Sequence, residues 1–179
     1  RGGKIVFTSY VKRFPQIWIM NADGSGQREI PTGLELNASP ALSPDGRWVS
    51  YVSDESGRAE VYVRPFPHAD SARVQVSVAG GIEPVWAPSG RELFYRDAAF
   101  DLVAVEVTLT PSFRLGRQRR LFSTRPYYVE GLHAAYGVTR DAKRFLFLAN
   151  PEDAGSHLVV VHNWLGELES IMASTGRNR

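Results

Sequence analysis

Cysteine is absent from the 179 residues, which excludes disulfide cross-links and thiolate metal sites and leaves the compartment open. Long apolar runs are absent too. A bilayer-spanning helix needs about 18 consecutive apolar residues, and the longest candidate here, Leu158 to Val161, is strand-sized. Charge of one sign is nearly missing: 21 basic against 19 acidic residues leave a formal +2. So small an excess makes no funnel for a nucleic-acid backbone, although the sequence pI is about 9.1. No signal peptide opens the chain, and it starts at Arg1 without a methionine. It therefore reads as a segment of a longer protein, with any targeting sequence upstream. What remains is an ordinary globular composition, 43% hydrophobic and 22% charged.

Helical periodicity is almost absent before Asn163, and a repeat stands in its place. Ser43-Pro44-Asp45-Gly46-Arg47-Trp48 is echoed by Ala87-Pro88-Ser89-Gly90-Arg91-Glu92 and by Thr139-Arg140-Asp141-Ala142-Lys143-Arg144. Asp45 to Ser89 is 44 positions and Ser89 to Asp141 is 52. One step of 44 back from Gly46 reaches Gly2, so Lys4 to Ser9 aligns with Trp48 to Ser53 and a truncated first copy exists. Each turn follows a short segment (Pro40-Ala41-Leu42, Pro84-Val85-Trp86, Ala135 to Val138) and precedes an apolar strand (Val49 to Val52, Leu93 to Tyr95, Phe145 to Leu148). A second strand comes next, such as Ile17 to Met20, Val61 to Val63 or Leu102 to Val105, then a more polar one such as Val74 to Ser77. Asp23-Gly24 and Asp45-Gly46 supply the left-handed backbone of tight hairpins. Four short strands per 40–50 residues predict an all-β chain in which each repeat is one four-stranded antiparallel propeller blade.

This unit resembles the TolB-like, WD-repeat-like β-propeller repeat, and Ile17-Trp18-Ile19-Met20-Asn21-Ala22-Asp23-Gly24-Ser25 is similar to its second half. The resemblance covers roughly residues 1 to 162. It is close in the first two copies, looser in the third and weakest in the fourth, where Asp141-Ala142 replaces Asp-Gly. Such repeats occur in the TolB protein of the bacterial envelope, in propellers attached to prolyl-oligopeptidase-type peptidases and at the C-terminal ends of bacterial Ser/Thr kinases. Arg58 to Pro67, Gly81 to Tyr95 and Val159 to Trp164 look most like the kinase-attached group. The resemblance implies a bacterial, non-catalytic module for protein or ligand binding or sensing, in a periplasmic or extracytoplasmic setting with a cytoplasmic one as the alternative. A peptidase's substrate-gating propeller and a free-standing TolB-like envelope protein are the other readings.

The repeats divide the chain at 1–36, 37–80, 81–130 and 131–162, about three and a half blades. An innermost strand is missing at the start and an outermost one at the end. Closed propellers have about 4–8 blades, so further blades are expected upstream. Residues 163–173 change character: Asn163 suits an N-cap, and Trp164, Leu165, Leu168, Ile171 and Met172 fall at helical spacing. An amphipathic helix packed on the last blade is expected, followed by a frayed tail over 174–179.

Enzymatic motifs fail residue by residue. No Gly-x-Ser-x-Gly elbow occurs, and none of His68, His133, His157 and His162 forms His-Glu-x-x-His. His157 and His162, five apart on one strand, face opposite sides. Asn21-x-Asp23-x-Ser25-Gly26 has the start of a calcium loop, but its twelfth position is Thr32, where a chelating glutamate is needed. A hairpin turn explains it as well. The pairs Gly2-Gly3 and Gly80-Gly81 lack the lysine and helix of a phosphate cradle. The basic run Arg114, Arg117, Arg119 and Arg120 reads as a solvated connection between strands. Trp18, Trp48, Trp86, Tyr51, Tyr62 and Tyr95 recur at matching positions, which assigns them to packing between sheets. No catalytic residue, cofactor or metal ligand is assigned, and no nucleic acid or membrane contact is expected.

Propellers bind at a mouth of the central channel, where loops converge on the innermost strands. In this register that mouth holds Asn37 and Ser39, Ile82 and Glu83, and Leu132 and His133. Glu83 is the first candidate, because an acid beside Pro84 has no evident role in the fold. The partner, a protein or a small ligand, is not named by any residue.

Overall fold

Three copies of one tight turn organise the chain. Ser43 N donates to Trp48 O and Gly46 N to Ser43 O, both at 2.9 Å. Ala87 N to Glu92 O (2.9 Å) with Gly90 N to Ala87 O (2.8 Å), and Thr139 N to Arg144 O with Ala142 N to Thr139 O (both 2.9 Å), repeat the pair. The third residue of each bonded loop sits in the left-handed region: Gly46 at φ 71°, Gly90 at 69° and Ala142 at 57°. Asp45 accepts from the Ser43 hydroxyl at 2.6 Å, and Asp141 takes the Thr139 hydroxyl in the same way at 2.5 Å. These side chains compete for backbone partners and so favour turns over regular structure.

The computed structural model describes residues 3–32, 36–68, 73–149 and the strand at 158–161. The predicted helix over 163–173, His157 and His162 lie outside them. The described residues are all-β, in four antiparallel sheets. The first holds β1 (Lys4–Ser9), β2 (Gln16–Asn21) and β3 (Arg28–Glu29). The second holds β4 (Asn37–Leu42), β5 (Trp48–Ser53), β6 (Glu60–Pro65) and β7 (Val74–Gln75). The third holds β8 (Gly81–Trp86), β9 (Glu92–Asp97), β10 (Asp101–Thr108) and β11 (Arg114–Ser123). The last holds β12 (Tyr136–Val138), β13 (Phe145–Leu148) and β14 (Leu158–Val161). Within each sheet, strands pair in chain order. An antiparallel blade of four strands, an even number, brings the chain back to the end it started from. The β1–β2, β5–β6 and β9–β10 connections, and the strand ends at which the chain passes from one sheet to the next, therefore lie at one common end of the array.

Adjacent sheets bury their facing residues against one another. Ile17, Ile19 and Ile30 pack on Tyr51 and Tyr62 between the first two sheets. Val52, Val61 and Val63 meet Trp86, Leu93 and Tyr95 between the second and third. Phe94, Leu102 and Ala104 meet Tyr136, Phe145 and Phe147 between the third and fourth. Phe113 takes Trp48 at 5.4 Å and Trp86 edge-on at 6.2 Å, while Phe94 meets Phe145 edge-on at 5.0 Å. Each such aromatic removed from water contributes about 1.5–3 kcal/mol. The indoles also cross between sheets, Trp86 Nε1 donating to Ala41 O and Trp48 Nε1 to Leu109 O, both at 3.1 Å.

The basic run is not a connection. Arg114 to Arg120 lies within β11, the outermost strand of the third sheet, where one side faces solvent. Arg119 pairs with Glu92, and Arg120 meets both Asp101 carboxylate oxygens at 2.8 and 2.9 Å. Its composition is polar because of where it sits in the blade.

Candidate functional site

The innermost strands β4 and β8 each carry a bulge at the same repeat position. Opposite the single residue Tyr51 stand Ser39 and Pro40, and opposite Tyr95 stand Glu83 and Pro84. Ser39 (φ 54°) and Glu83 (φ 56°) take the left-handed backbone that such a bulge demands. A bulge re-aims its side chains, and the two copies use this differently.

Ser39 turns to a cavity of about 570 Å³ that runs along the inner strands. Its walls are Val6 to Thr8 of β1, Ser39 to Leu42, Pro84 to Trp86, and His133 with Ala134 at one end. Ser39 Oγ and Thr8 Oγ1 are buried in this wall without a hydrogen-bond partner. A hydroxyl shut away from water without a partner costs about 1–3 kcal/mol. The wall therefore keeps two unsatisfied hydroxyls just beneath a mostly apolar surface. His133 is exposed at the rim, with Nε2 at 3.4 Å from the hydroxyl of Tyr10 in the β1–β2 loop.

Glu83 turns the other way, and it does have a role in the fold. Its carboxylate is fully buried against Arg96, equally buried, with Nε to Oε2 at 3.1 Å. Glu83 Oε1 accepts from the amides of Glu130 and Gly131 at 3.1 and 3.3 Å, and its carbonyl accepts from Tyr136 Oη at 3.0 Å. The Arg96 guanidinium lies between the rings of Tyr136 and Phe147, at 5.6 and 5.4 Å. Burial pushes the Arg96 pKa down while Glu83 opposes the shift. Glu83 thus clamps the loop that carries His133 and does not line the cavity. Asn37 is also buried behind the wall; its amide donates to Pro15 O at 2.9 Å and its Nδ2 to Gln16 Oε1 at 3.3 Å. Of the sequence candidates, Ser39 and His133 meet at the cavity, and Asn37 and Glu83 support it from behind. Thr8 escaped notice, since its strand aligns in the repeat with the second strands of the other sheets and nothing local marks it as facing the channel.

The Asn21-Asp23-Ser25 motif is a turn. Asp23 Oδ1 accepts from Ser25 N at 2.9 Å and Ser25 Oγ at 2.7 Å, and Asn21 Nδ2 donates to Ser25 Oγ at 2.8 Å. Those two hydrogen bonds from Ser25 hold the Asp23 pKa below the usual carboxylate value.

Four antiparallel sheets set side by side, with their first strands around a shared cavity, define a stretch of β-propeller blades. The particular likeness is to TolB. The chain is 28% identical over 93 residues to a TolB homolog of Chlorobaculum tepidum, covering 51% of this chain and 21% of that protein. It is 37% identical over 81 residues to the Tol-Pal system protein TolB of Alcanivorax borkumensis, covering 44% of this chain and 18% of that protein. The chain thus spans about a fifth of the length of the curated relatives it matches. Among solved structures, TolB from Acinetobacter baumannii superposes with a TM-score of 0.52 at 13% identity, covering 90% of this chain and 50% of that one. An oligogalacturonate lyase in complex with manganese gives 0.59 at 18% identity, covering 89% and 44%. These likenesses show the fold. No family model matches the chain.

Proposed function

We propose that this chain is part of a non-catalytic TolB-like propeller that seats a partner in its central cavity, with Ser39 and His133 at the mouth and Asn37 and Glu83 holding it from behind. The observation that carries this reading is the pair of unpartnered hydroxyls, Ser39 Oγ and Thr8 Oγ1, in the wall of a cavity of about 570 Å³. Specific sites combine an apolar lining with a few placed polar groups in this way. The Tol-Pal names of the relatives support a protein partner and a periplasmic or extracytoplasmic setting. Among the described residues no helix is long and apolar enough to cross a membrane.

The test is a pull-down from the envelope fraction of the source bacterium. Ser39→Trp, which fills the cavity, is expected to abolish specific capture, whereas Arg91→Ala at the opposite end of the blades leaves it intact. Capture unaffected by Ser39→Trp overturns the reading. The wider context we assign is a sensor propeller C-terminal to a bacterial Ser/Thr kinase with further blades between, supported by the likeness of Arg58 to Pro67, Gly81 to Tyr95 and Val159 to Trp164. A His-Arg-Asp catalytic loop encoded upstream is expected, and a gene without one removes the kinase assignment.

A further inference from the structure

A strap of irregular chain, residues 129–134, lies on the passage from β11 to β12 at the mouth of the cavity. Both of its ends are fixed. Before it, Tyr127 N donates to Thr124 O at 3.0 Å and Tyr128 N to Leu148 O at 2.9 Å, and the Tyr127 ring stacks on Phe147 at 4.7 Å. After it, Ala135 O accepts from Leu148 N at 3.4 Å, and the ring of Tyr136 lies 5.3 Å from the same Phe147. Between these anchors, among the described residues, the strap makes no backbone-to-backbone hydrogen bond. It is shaped from within, because Glu130 Oε2 accepts from Leu132 N at 3.0 Å and from His133 N. A turn closed by its own side chain keeps its shape when its outer ties part.

Among the described residues, two polar ties hold the strap down. One is Glu83 Oε1, which takes the Glu130 and Gly131 amides at 3.1 and 3.3 Å. The other is the 3.4 Å hydrogen bond between His133 Nε2 and the Tyr10 hydroxyl, which joins a loop of the first sheet to the approach of the last. All three bonds are longer than the usual distance of about 2.9–3.0 Å. The groups behind the strap also favour release. Arg96 Nε, Nη1 and Nη2 and Glu83 Oε2 are buried without a hydrogen-bond partner, although the two charges meet at 3.1 Å. Water admitted to that pair supplies the missing partners, so lifting the strap exchanges two long amide bonds for hydration of the pair. His133 and Ala134 are the strap's share of the cavity wall, whose other sides come from β1, β4 and β8.

We infer that residues 129–134 form a gate at the mouth of the cavity, held shut by the Tyr10–His133 bond and the Glu83 carboxylate, which swings out between its fixed ends to admit a partner. The inference rests on the cavity reading above and adds how the occupant enters. In the closed position the gate joins the first sheet to the last over the cavity. In the open position His133 and Ala134 leave the wall, and the buried Glu83–Arg96 pair meets water.

The test uses the full chain, which has no cysteine, so that Ser39→Cys places a single thiol in the cavity wall, where Ser39 is 5% exposed. The rate at which a methanethiosulfonate reagent modifies that thiol reads the opening. Tyr10→Phe and His133→Ala each remove the bond across the mouth, and both side chains are exposed, so folding is spared. Each is expected to raise the rate about fivefold, the worth of one hydrogen bond. The two together should do no more than the larger single change, since they break the same bond. Hydrogen exchange at the Glu130 and Gly131 amides should quicken with the thiol while the Tyr128 amide stays as it was. An unchanged rate in Tyr10→Phe overturns the gate, even if His133→Ala, which also thins the wall, raises it. Exchange at Tyr128 that quickens with the strap overturns it too, because the whole region then unfolds. Partner capture separates the gate from the cavity reading. If Ser39→Trp abolishes capture and Tyr10→Phe leaves the thiol rate unchanged, the cavity stands and the gate falls. If Tyr10→Phe quickens the thiol and Ser39→Trp leaves capture intact, the gate stands and the seat for a partner falls. A thiol that reacts in no variant until the chain is denatured removes both.

Discussion

Glu83 and Arg96 face one another with neither side chain exposed, Nε to Oε2 at 3.1 Å, and the pair ties the third sheet to the loop that leads into the fourth. Removing one member of a buried pair strands the other, at a cost of about 3–5 kcal/mol. Glu83→Gln keeps an oxygen for the Glu130 and Gly131 amides and removes only the charge. Urea unfolding should show that loss for Glu83→Gln and for Arg96→Met. In the double variant the loss should be clearly smaller than their sum. Strict additivity would show that the two are not coupled.

The fourth repeat turn holds Ala142 at φ 57° where the second and third hold Gly46 and Gly90. A side chain in the left-handed region costs about 1–2 kcal/mol, while glycine loses more freedom on folding, by about 0.5–1 kcal/mol. Ala142→Gly should therefore stabilise the chain by about 0.5–1 kcal/mol. Gly46→Ala meets nothing within 4 Å of its new methyl and should cost a similar amount from backbone strain alone. Thermal unfolding midpoints moving in opposite directions check both.

These turns were legible in the sequence because Asp45-Gly46 and its echoes encode their geometry within six neighbouring residues. The same holds for the alternation that places Tyr51, Tyr62 and Tyr95 between sheets. Glu83 was legible only as an oddity beside Pro84. Its partner Arg96 lies on the next strand and its amide donors some 47 positions on, contacts that only the assembled blades create. Arg114 to Arg120 was misread for a related reason: an outermost strand faces water, so its composition imitates a loop. The strap at residues 129–134 was invisible because the partner of His133, Tyr10, stands 123 positions away in the chain.

Burial raises the pKa of three tyrosines. Tyr51 and Tyr136 shift upward and Tyr95 is pushed up to about 12, with the Asp97 charge adding to the effect at Tyr95. The folded state favours the neutral phenol, so this stability is fully present below the unfolded value near 10 and is lost as pH rises toward 12. Tyrosinate absorbance should show an early exposed group and a late group that appears together with loss of the near-ultraviolet circular dichroism. A single transition near pH 10 with the fold intact would contradict it.

Gly81 opens β8 at the crossing from the second sheet to the third, and it is a glycine for want of room. A methyl there would stand 2.3 Å from Ser77 Oγ and 2.7 Å from Ser77 Cβ. Ser77 cannot step aside freely, since its hydroxyl donates to Glu60 and accepts from Val61 N at 2.8 Å. Glu60 Oε1 accepts in turn from Gly80 N at 2.9 Å. Gly81→Ala should therefore break this buried network as well as overpack it, costing about 2–4 kcal/mol. Gly81→Ala with Ser77→Ala relieves the clash with the hydroxyl but leaves Glu60 short of a donor. Urea unfolding should place the double variant between the single Gly81→Ala and the parent. A Gly81→Ala variant as stable as the parent would mean that the crossing is looser than its packing shows.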